Sequence, residues 1–257
     1  MKIINVWKNN LENSMFIIKK LIPIYSFISM DTEFPGIVAH ENKKKENYFK
    51  NWHYKELRYN VGLLGIIQLG LTFSNKEGFI PKNIGCWQFN FYFDIKKEMF
   101  AQDSMNLLLR SGINFYEHKK KGIDVKTFVD LLLKSGIISN QNVKWISFHS
   151  EYDFGYFINI ITNKPLPFEI KEFFYLLKKY FPCFYDIKYV GLRSRRLFGG
   201  LNKFADKFNV KRIGSVHQAG SDSLLTLKVF FKLKETFFKG NIGKQHQGII
   251  YGLYSTI

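Results

Sequence analysis

The sequence predicts an α/β fold in which helices pack on a mixed β-sheet. Two observations support this prediction. The first hundred residues contain three apolar runs typical of core strands, and from there helical spacing alternates with shorter strand-like runs. The 257 residues contain no evident linker, repeat or low-complexity break, so we expect residues 1–257 to form a single domain.

The first half of the chain predicts one helix and then several strands. After a strand-like start, Leu11, Met15 and Ile18 recur on one helical face. Core strands are expected at residues 24–30, 63–73 and 86–93. Residues 74–78 carry turn chemistry, which predicts that the last two strands form a hairpin.

Within the last of these strands, polar residues at 88, 90 and 92 alternate with aromatic residues, which predicts a half-buried strand. The second half of the chain predicts a regular succession of further elements. Helices are expected at residues 102–110, 125–133, 152–161, 169–180 and about 221–238, with short strands at 143–148 and 183–185.

Charge gives the first indication of a partner. The chain has 38 basic and 21 acidic residues, a formal net charge of +17. Such an excess favours a polyanion such as nucleic acid, although a lysine-rich surface can also serve solubility. We expect the lysine tracts at 43–45 and 119–121 to be solvated loops. The basic residues between Arg193 and Arg212 are equally candidates for phosphate contacts or for solvated surface.

Cysteine usage and hydropathy restrict the class of protein. Cys86 and Cys183 lie far apart and lack metal-site spacing, which argues against a disulfide scaffold and fits a reducing compartment. No N-terminal segment resembles a signal peptide. The longest apolar stretch, residues 61–73, is interrupted by Gln68 and is too short to span a bilayer. We therefore expect a soluble intracellular protein without a membrane partner.

The most informative segment is Asp31-Thr32-Glu33, at the end of the first predicted core strand. Alternate residues of a strand point to the same face, so Asp31 and Glu33 would project together. Two adjacent carboxylates repel unless a proton or a cation lies between them, and oxygen ligands suit a divalent ion such as Mg²⁺. The alternative is a strand that runs out into a solvated loop.

Two further segments carry candidate site residues. Asp153 falls in the first turn of a predicted helix directly after a strand, where it could be a simple helix cap. His217 precedes Asp222 by five residues, so the two cannot share a helical face. If Asp222 opens the last helix, His217 lies on the preceding loop, where it could accept a proton.

Together the chain offers four acids and a histidine: Asp31, Glu33, Asp153, Asp222 and His217. Four converging carboxylates would be prohibitive without cations, so convergence implies metal. Two divalent ions about 3.5–4 Å apart are a common device for hydrolysing a phosphodiester. This set, in this order, resembles the signature of the DEDD exonucleases that carry a histidine.

The resemblance extends to the CAF-type, or Pop-type, poly(A) ribonucleases, the exonuclease subunits of the CCR–NOT deadenylase complex. It covers the chain continuously from about Val6 to Tyr254. The segments that carry it are residues 27–36, 66–73, 87–91, 100–104, 145–156 and 217–226. The lysine- and asparagine-rich residues 42–51 and the arginine-rich residues 188–200 depart from the family pattern.

The resemblance implies an RNase H-like fold and a single DEDD-type domain that removes mRNA poly(A) tails from the 3′ end and releases 5′-AMP. It implies two divalent ions, Mg²⁺ or Mn²⁺, with Asp31 bridging both. Glu33 and Asp222 would hold the ion on the nucleophile side, Asp153 would bind the second ion, and His217 would orient or deprotonate the attacking water. Asp186 has no place in this set, and we expect it to make structural hydrogen bonds.

The implied partners are poly(A) RNA, the scaffold subunit of the CCR–NOT complex and a second deadenylase subunit, and the implied locations are the cytoplasm and the nucleus. Two alternatives remain. The chain could be a related 3′-exonuclease with other single-stranded substrates, because the acids do not read the base. It could also be mainly an adaptor within the complex.

Overall fold

The computed structural model describes residues 2–40, 52–194 and 197–253. In this part of the chain, six strands form one mixed sheet in the order β1-β4-β3-β2-β5-β6. The strands are β1 (Ile4–Val6), β2 (Phe27–Glu33), β3 (Gln68–Ser74), β4 (Cys86–Asn90), β5 (Lys144–Ser147) and β6 (Phe184–Asp186). β2, β3 and β4 are antiparallel neighbours, whereas β1 is parallel to β4, and β5 is parallel to both β2 and β6.

The helices lie on both faces of this sheet. They are α1 (Leu11–Leu21), α2 (Trp52–Leu63), α3 (Gln102–Arg110), α4 (Phe115–Lys121), α5 (Val125–Ser135), α6 (Glu151–Thr162), α7 (Ile170–Tyr180), α8 (Ile187–Arg193), α9 (Leu201–Lys207) and α10 (Ala219–Phe238). None of the described helices combines the length and the apolarity needed to cross a bilayer.

Two of the three apolar clusters in the described residues lie on opposite sides of the sheet, because alternate strand residues face opposite sides. The larger core takes Ile28 and Met30 of β2, Trp145 of β5, and the buried sides of α1, α2, α5, α6 and α7. The smaller core takes Ile146 of β5 together with residues of α8, α9 and α10. The sheet is thus covered on both faces, and its acid-bearing strand β2 lies near its centre.

Most predicted elements are confirmed within two or three residues, and the predicted hairpin is the antiparallel pair β3–β4. The prediction of a strand over residues 63–73 is wrong in its first half. Leu63 ends α2, and β3 begins only at Gln68. An apolar run alone does not distinguish a buried helix end from a strand.

The prediction that β4 is half-buried is also wrong, because all five of its residues are buried. Four helices, α2, α4, α8 and α9, were not predicted. The lysine tract at 119–121 lies at the end of α4 and not in a loop, and Lys119 Nζ lies 2.9 Å from Asp94 Oδ2. The tract at 43–45 lies outside the described residues.

Candidate active site

The first two acids lie at the end of β2, on the face of the sheet that α10 covers. β2 pairs with β3 along its whole length, and the register places Asp31 opposite Gly70. On the same face, Ser29 Oγ donates to the Ser223 carbonyl of α10 at 2.7 Å. Because strand side chains alternate, Asp31 and Glu33 point toward the same helix.

The start of α10 can lie against β3 because Gly70 has no side chain. A Cβ atom at Gly70 would lie 1.9 Å from the Ala219 carbonyl oxygen and 2.7 Å from the Gly220 nitrogen, closer than these atoms can approach. Glycine is therefore required at this contact between two backbones. The contact brings Asp222, in the first turn of α10, to the edge where the β2 acids lie.

Buried amide side chains from β3 and β4 hold the N-terminus of α10. Gln68 Oε1 accepts from the Ala219 N–H at 3.2 Å, and Gln88 Oε1 accepts from the Gly220 N–H at 2.9 Å. Gln218 joins the network, since its Oε1 accepts from both glutamine side chains. Gln68 and Gln88 can thus be buried because they satisfy helix amides that would otherwise lack partners.

Three carboxylates meet at this edge. Asp31, Glu33 and Asp222 each offer one oxygen, and these oxygens all lie within 4.8 Å of one another. Glu33 and Asp222 are buried, whereas Asp31 is partly exposed. So close an approach of like charges is unfavourable unless protons or a cation intervene.

Asp153 reaches the same strand from α6. Its Oδ1 accepts from the Thr32 N–H at 2.8 Å and from the Thr32 hydroxyl at 2.5 Å. Thr32 stands between the two β2 acids, so these hydrogen bonds fix the fourth carboxylate beside the cluster. Asp153 is buried, as is Thr32. It lies next to the three clustered carboxylates without belonging to the group within 4.8 Å.

Burial and the repulsion of neighbouring carboxylates raise the pKa values of Asp31, Glu33 and Asp153. Burial is the main cause at Asp31 and Glu33, whose pKa values lie well above the ordinary range, and the charges of Asp222 and Asp153 raise both further. Burial also raises the pKa of Asp153 to about 7, against the opposing effect of its hydrogen bonds from Thr32. Such carboxyls favour either a proton or a cation in the site.

A single guanidinium and an orphaned oxygen complete the cluster. Arg212 Nη2 lies 2.8 Å from Asp222 Oδ1, and the charge of Arg212 lowers the pKa of Asp31 and Glu33. Asp222 Oδ2 is buried and has no hydrogen-bond partner among the described residues. An orphaned carboxylate oxygen beside two further carboxylates matches the oxygen ligands that Mg²⁺ and Mn²⁺ prefer, so the residues present fit divalent ions.

All five predicted site residues line one cleft of about 440 Å³. His217 lies at its margin, just before α10, with an exposed side chain and a left-handed backbone (φ 58°). Its carbonyl accepts from Ser111 Oγ at 2.9 Å. The histidine therefore lies on a loop and shares the cleft with Asp222 without sharing its helical face.

Three charged residues near the acids were not predicted as site residues. Glu151 and Lys188 line the cleft, and Arg212 pairs with Asp222. The sequence makes Arg212 a candidate for a phosphate contact or for solvated surface, and its ion pair gives it a different role. No sequence spacing signals this pair, because it joins a loop residue to a helix that docks through tertiary contacts.

Asp186 makes the structural hydrogen bonds that we expected. Its carboxylate accepts from the backbone N–H groups of His149, Ser150, Lys188 and Tyr251 at 2.9, 3.2, 3.0 and 3.0 Å. It thereby joins three segments of the chain at one side of the cleft.

Comparison with known proteins then identifies the family. A family model described as CAF1 family ribonuclease matches residues 6–128. The chain is 46% identical over 257 aligned residues to "Probable CCR4-associated factor 1 homolog 7" of Arabidopsis thaliana, which covers 96% of this chain and 92% of that protein. The chain belongs to the CAF1 family of ribonucleases.

A relative from Schizosaccharomyces pombe is similar over nearly the whole chain, both in its sequence and in a solved structure. "Poly(A) ribonuclease pop2" of Schizosaccharomyces pombe is 44% identical, over 98% of this chain and 75% of that protein. A solved structure of S. pombe Pop2p, in a form that binds Mg²⁺ and Mn²⁺, superimposes with a TM-score of 0.93 at 43% identity and covers 98% of this chain and 100% of that one.

A second solved structure shows a CAF1 relative with a partner. Yeast CAF1 co-crystallised with the MIF4G domain of NOT1 superimposes with a TM-score of 0.80 at 34% identity, over 97% of this chain and 96% of that one. Exonuclease I, at 13% identity and a TM-score of 0.56, shares only the fold. The prediction of an RNase H-like mixed sheet flanked by helices is thus confirmed.

Proposed function

We propose that this chain is a metal-dependent 3′-to-5′ exoribonuclease that shortens mRNA poly(A) tails and releases 5′-AMP, as a subunit of a CCR–NOT complex. The observation that carries the proposal is the cluster of Asp31, Glu33 and Asp222 oxygens within 4.8 Å of one another in an open cleft. Membership in the CAF1 ribonuclease family and the similarity to a poly(A) ribonuclease support the substrate.

In this proposal, Asp31, Glu33 and Asp222 hold divalent ions, and Asp153 adds a further carboxylate oxygen from beside Thr32. When bound, such ions lower the pKa of a water molecule and stabilise the charge on the leaving oxygen. The orphaned Asp222 Oδ2 supplies a ligand atom that makes no competing hydrogen bond. Arg212 fixes the other oxygen of the same carboxylate.

In this proposal, His217 takes up the proton that the attacking water releases. It lies on the margin of the cleft, where solvent reaches the imidazole and can carry that proton away. The buried amide network holds its neighbour Gln218, and so keeps the loop in place next to the acids. The imidazole can therefore accept the proton while it remains exposed to solvent.

The test measures shortening of 5′-labelled RNA that ends in adenosines, with Mg²⁺ or Mn²⁺. We expect stepwise removal from the 3′ end, with 5′-AMP as product, and loss of activity in Asp31→Ala. Asp103→Ala is the matched control, because Asp103 is exposed on α3 and does not line the cleft. Unchanged turnover in Asp31→Ala would refute the assignment of the site.

Substrate class and partners need separate measurements. RNA ending in uridines and single-stranded DNA distinguish a deadenylase from an exonuclease with broader substrates, since equal rates on all three contradict adenosine preference. We propose that the chain binds the NOT1 scaffold, as its yeast relative does. Asp31→Ala should retain that binding in a pull-down with the MIF4G domain.

The remaining proposals are a second deadenylase subunit as partner, and a location in the cytoplasm and the nucleus. Both derive from the family resemblance. Co-purification of the tagged chain from its own cells, with imaging of the same fusion, tests them together. Recovery of the scaffold without a second nuclease would contradict the proposal that a second deadenylase subunit is a partner.

A further inference from the structure

The cleft that contains the acids also contains one lysine. Among the described residues that line it, Lys188 is the only lysine or arginine, whereas five carboxylates face the same space: those of Asp31, Glu33, Glu151, Asp153 and Asp222. A polynucleotide that enters this cleft brings further negative charge. A cation at the cleft wall can therefore attract the polynucleotide and offset its repulsion by the carboxylates.

The ammonium group of Lys188 is held without an ion pair. Its Nζ lies 3.2 Å from His149 Nδ1 and 4.4 Å from the centroid of the Tyr251 ring. Within the described residues, it forms no salt bridge with a carboxylate. An ammonium has three donors, so at least one stays available after the histidine is satisfied.

The segments around Lys188 are fixed by one buried carboxylate. Asp186 accepts from the backbone N–H groups of Lys188, His149 and Tyr251. The side chains of His149 and Tyr251 contact the Lys188 ammonium. Asp186 is fully buried. Its oxygens accept from these amides, so Asp186 fixes the backbone around the ammonium, and its charge opposes the lowering of the Lys188 pKa by burial.

The environment of the ammonium favours a new anionic partner. Burial lowers the pKa of Lys188 and, with the charge of Lys188, that of His149, so the imidazole accepts the hydrogen bond as a neutral ring. A cation that is partly desolvated and lacks a carboxylate partner loses little water when an anion binds.

We propose that Lys188 Nζ binds a non-bridging phosphate oxygen of the RNA backbone in the cleft, and so positions the strand relative to the acids. The inference rests on the proposed function, since it assumes that RNA occupies this cleft. It assigns to Lys188 a contact that is independent of base identity, because every nucleotide carries the same phosphate.

The experiment compares Lys188→Met, which keeps the aliphatic stem and removes the charge, with Lys188→Arg and the wild type. Binding of a fluorescent adenosine decamer is measured by anisotropy over a range of salt concentrations, and gels verify that the RNA stays intact. Loss of one phosphate contact on a single strand should reduce the slope of log K against log salt by about 0.7. Lys126→Met is the control, because Lys126 is exposed on α5 and does not line the cleft.

We expect Lys188→Met to lose roughly tenfold or more in affinity together with this change in slope, and Lys188→Arg to retain the wild-type slope. An unchanged slope in Lys188→Met would overturn the proposal, whatever its effect on turnover. If that variant does not fold, Lys188→Gln is measured in the same way. Failure of the proposed function appears separately, as wild-type protein that binds the decamer and shortens no tail.

Discussion

The two segments that supply the clustered carboxylates are held in different ways. Asp31 and Glu33 lie in β2, which pairs with β3 residue by residue over its whole length. Asp222 lies in the first turn of α10, which reaches the same edge through a glycine contact and buried glutamine side chains. Backbone hydrogen bonds therefore place two of the ligands, and side-chain packing places the third.

This difference indicates which substitutions should separate the acids. The spacing of Asp31 and Glu33 is a property of any strand, so substitutions around β2 have to disrupt the sheet before they separate the pair. The position of Asp222 depends on a few contacts at the end of one helix. Substitutions at those contacts should separate α10 from the β2 acids while the sheet remains intact.

The largest effect is expected at Gly70, where the two segments touch. In Gly70→Ala the new methyl group would meet the Ala219 carbonyl at 1.9 Å, so α10 must shift. We expect a loss of about 3 kcal/mol or more in unfolding free energy, together with loss of most activity. Urea unfolding and tail-shortening assays measure the two effects.

Gly62→Ala is the matched control for this substitution. Gly62 lies in α2, and apart from its own helix backbone and chain neighbours no atom of the described residues lies within 4 Å of the position of its missing Cβ. Alanine there should be neutral or stabilising, by about 0.5–1 kcal/mol, because glycine is a poor helix former. Equal stability and activity of Gly70→Ala and Gly62→Ala would show that the contact at Gly70 does not position α10.

A smaller effect is expected at Gln88, which caps α10. Gln88→Ala removes the acceptor of the Gly220 N–H and leaves that buried amide unpaired. The expected cost is about 1–3 kcal/mol in unfolding free energy, with a reduced affinity for Mn²⁺ in calorimetry. Gln102→Ala, in an exposed position on α3, is the control and should leave both quantities unchanged.

The contrast between the two segments also explains what the sequence could predict. The acids of β2 were predicted from strand periodicity, and Asp153 from a helix that follows a strand, because both patterns are local. The fold class followed from the succession of such elements. The convergence of the four acids did not follow from these patterns alone, and was implied by the family resemblance.

The contacts that join distant elements were not predicted. Nothing near Gly70 shows that α10 will cross it. The alternation in β4 predicts a half-buried strand, and this prediction is wrong because Gln88 is buried against a helix that lies about 130 residues later. The ion pair between Arg212 and Asp222 has the same origin. Helices α8 and α9 were missed because they are short and follow no strong period.

A further prediction concerns Arg212, which contacts only the α10 side of the cluster. Its charge lowers the pKa of Asp31 and Glu33, so Arg212→Gln should raise both. Divalent ions must then displace protons that are held more tightly. We expect the Mg²⁺ concentration for half-maximal activity to rise about tenfold, and the acidic limb of the pH–rate profile to move to higher pH.

Arg58→Gln is the control for this charge, because Arg58 lies on α2 and does not line the cleft. If Arg212→Gln showed the wild-type Mg²⁺ requirement and pH profile, the guanidinium would serve only to hold the loop. Separate measurement of the thermal midpoint identifies that case, since a structural loss lowers stability without moving the acidic limb.

The smallest expected effect is a gain in stability in Asp31→Asn. It tests whether the carboxylates of β2 and α10 repel each other in the folded protein. Burial and the charges of Asp222, Asp153 and Glu33 raise the pKa of Asp31 in the folded protein. The unfolded chain releases this proton near pH 4, so the metal-free protein loses stability as pH rises above that value. Asp31→Asn removes the charge and should stabilise the metal-free protein at pH 7.5.

We expect a gain of about 1 kcal/mol, which corresponds to about 2–4 °C in Tm for a chain of this size. The gain should shrink as the pH is lowered toward 4, where the wild-type carboxyl is protonated as well. Addition of Mn²⁺ should reverse the order, because the wild type gains ligand-linked stability that the variant has lost. A variant less stable than the wild type in EDTA at pH 7.5 would mean that Asp31 makes a net favourable contribution to the fold. Contacts within the protein would then hold the acids of β2 and α10 together even without bound ions.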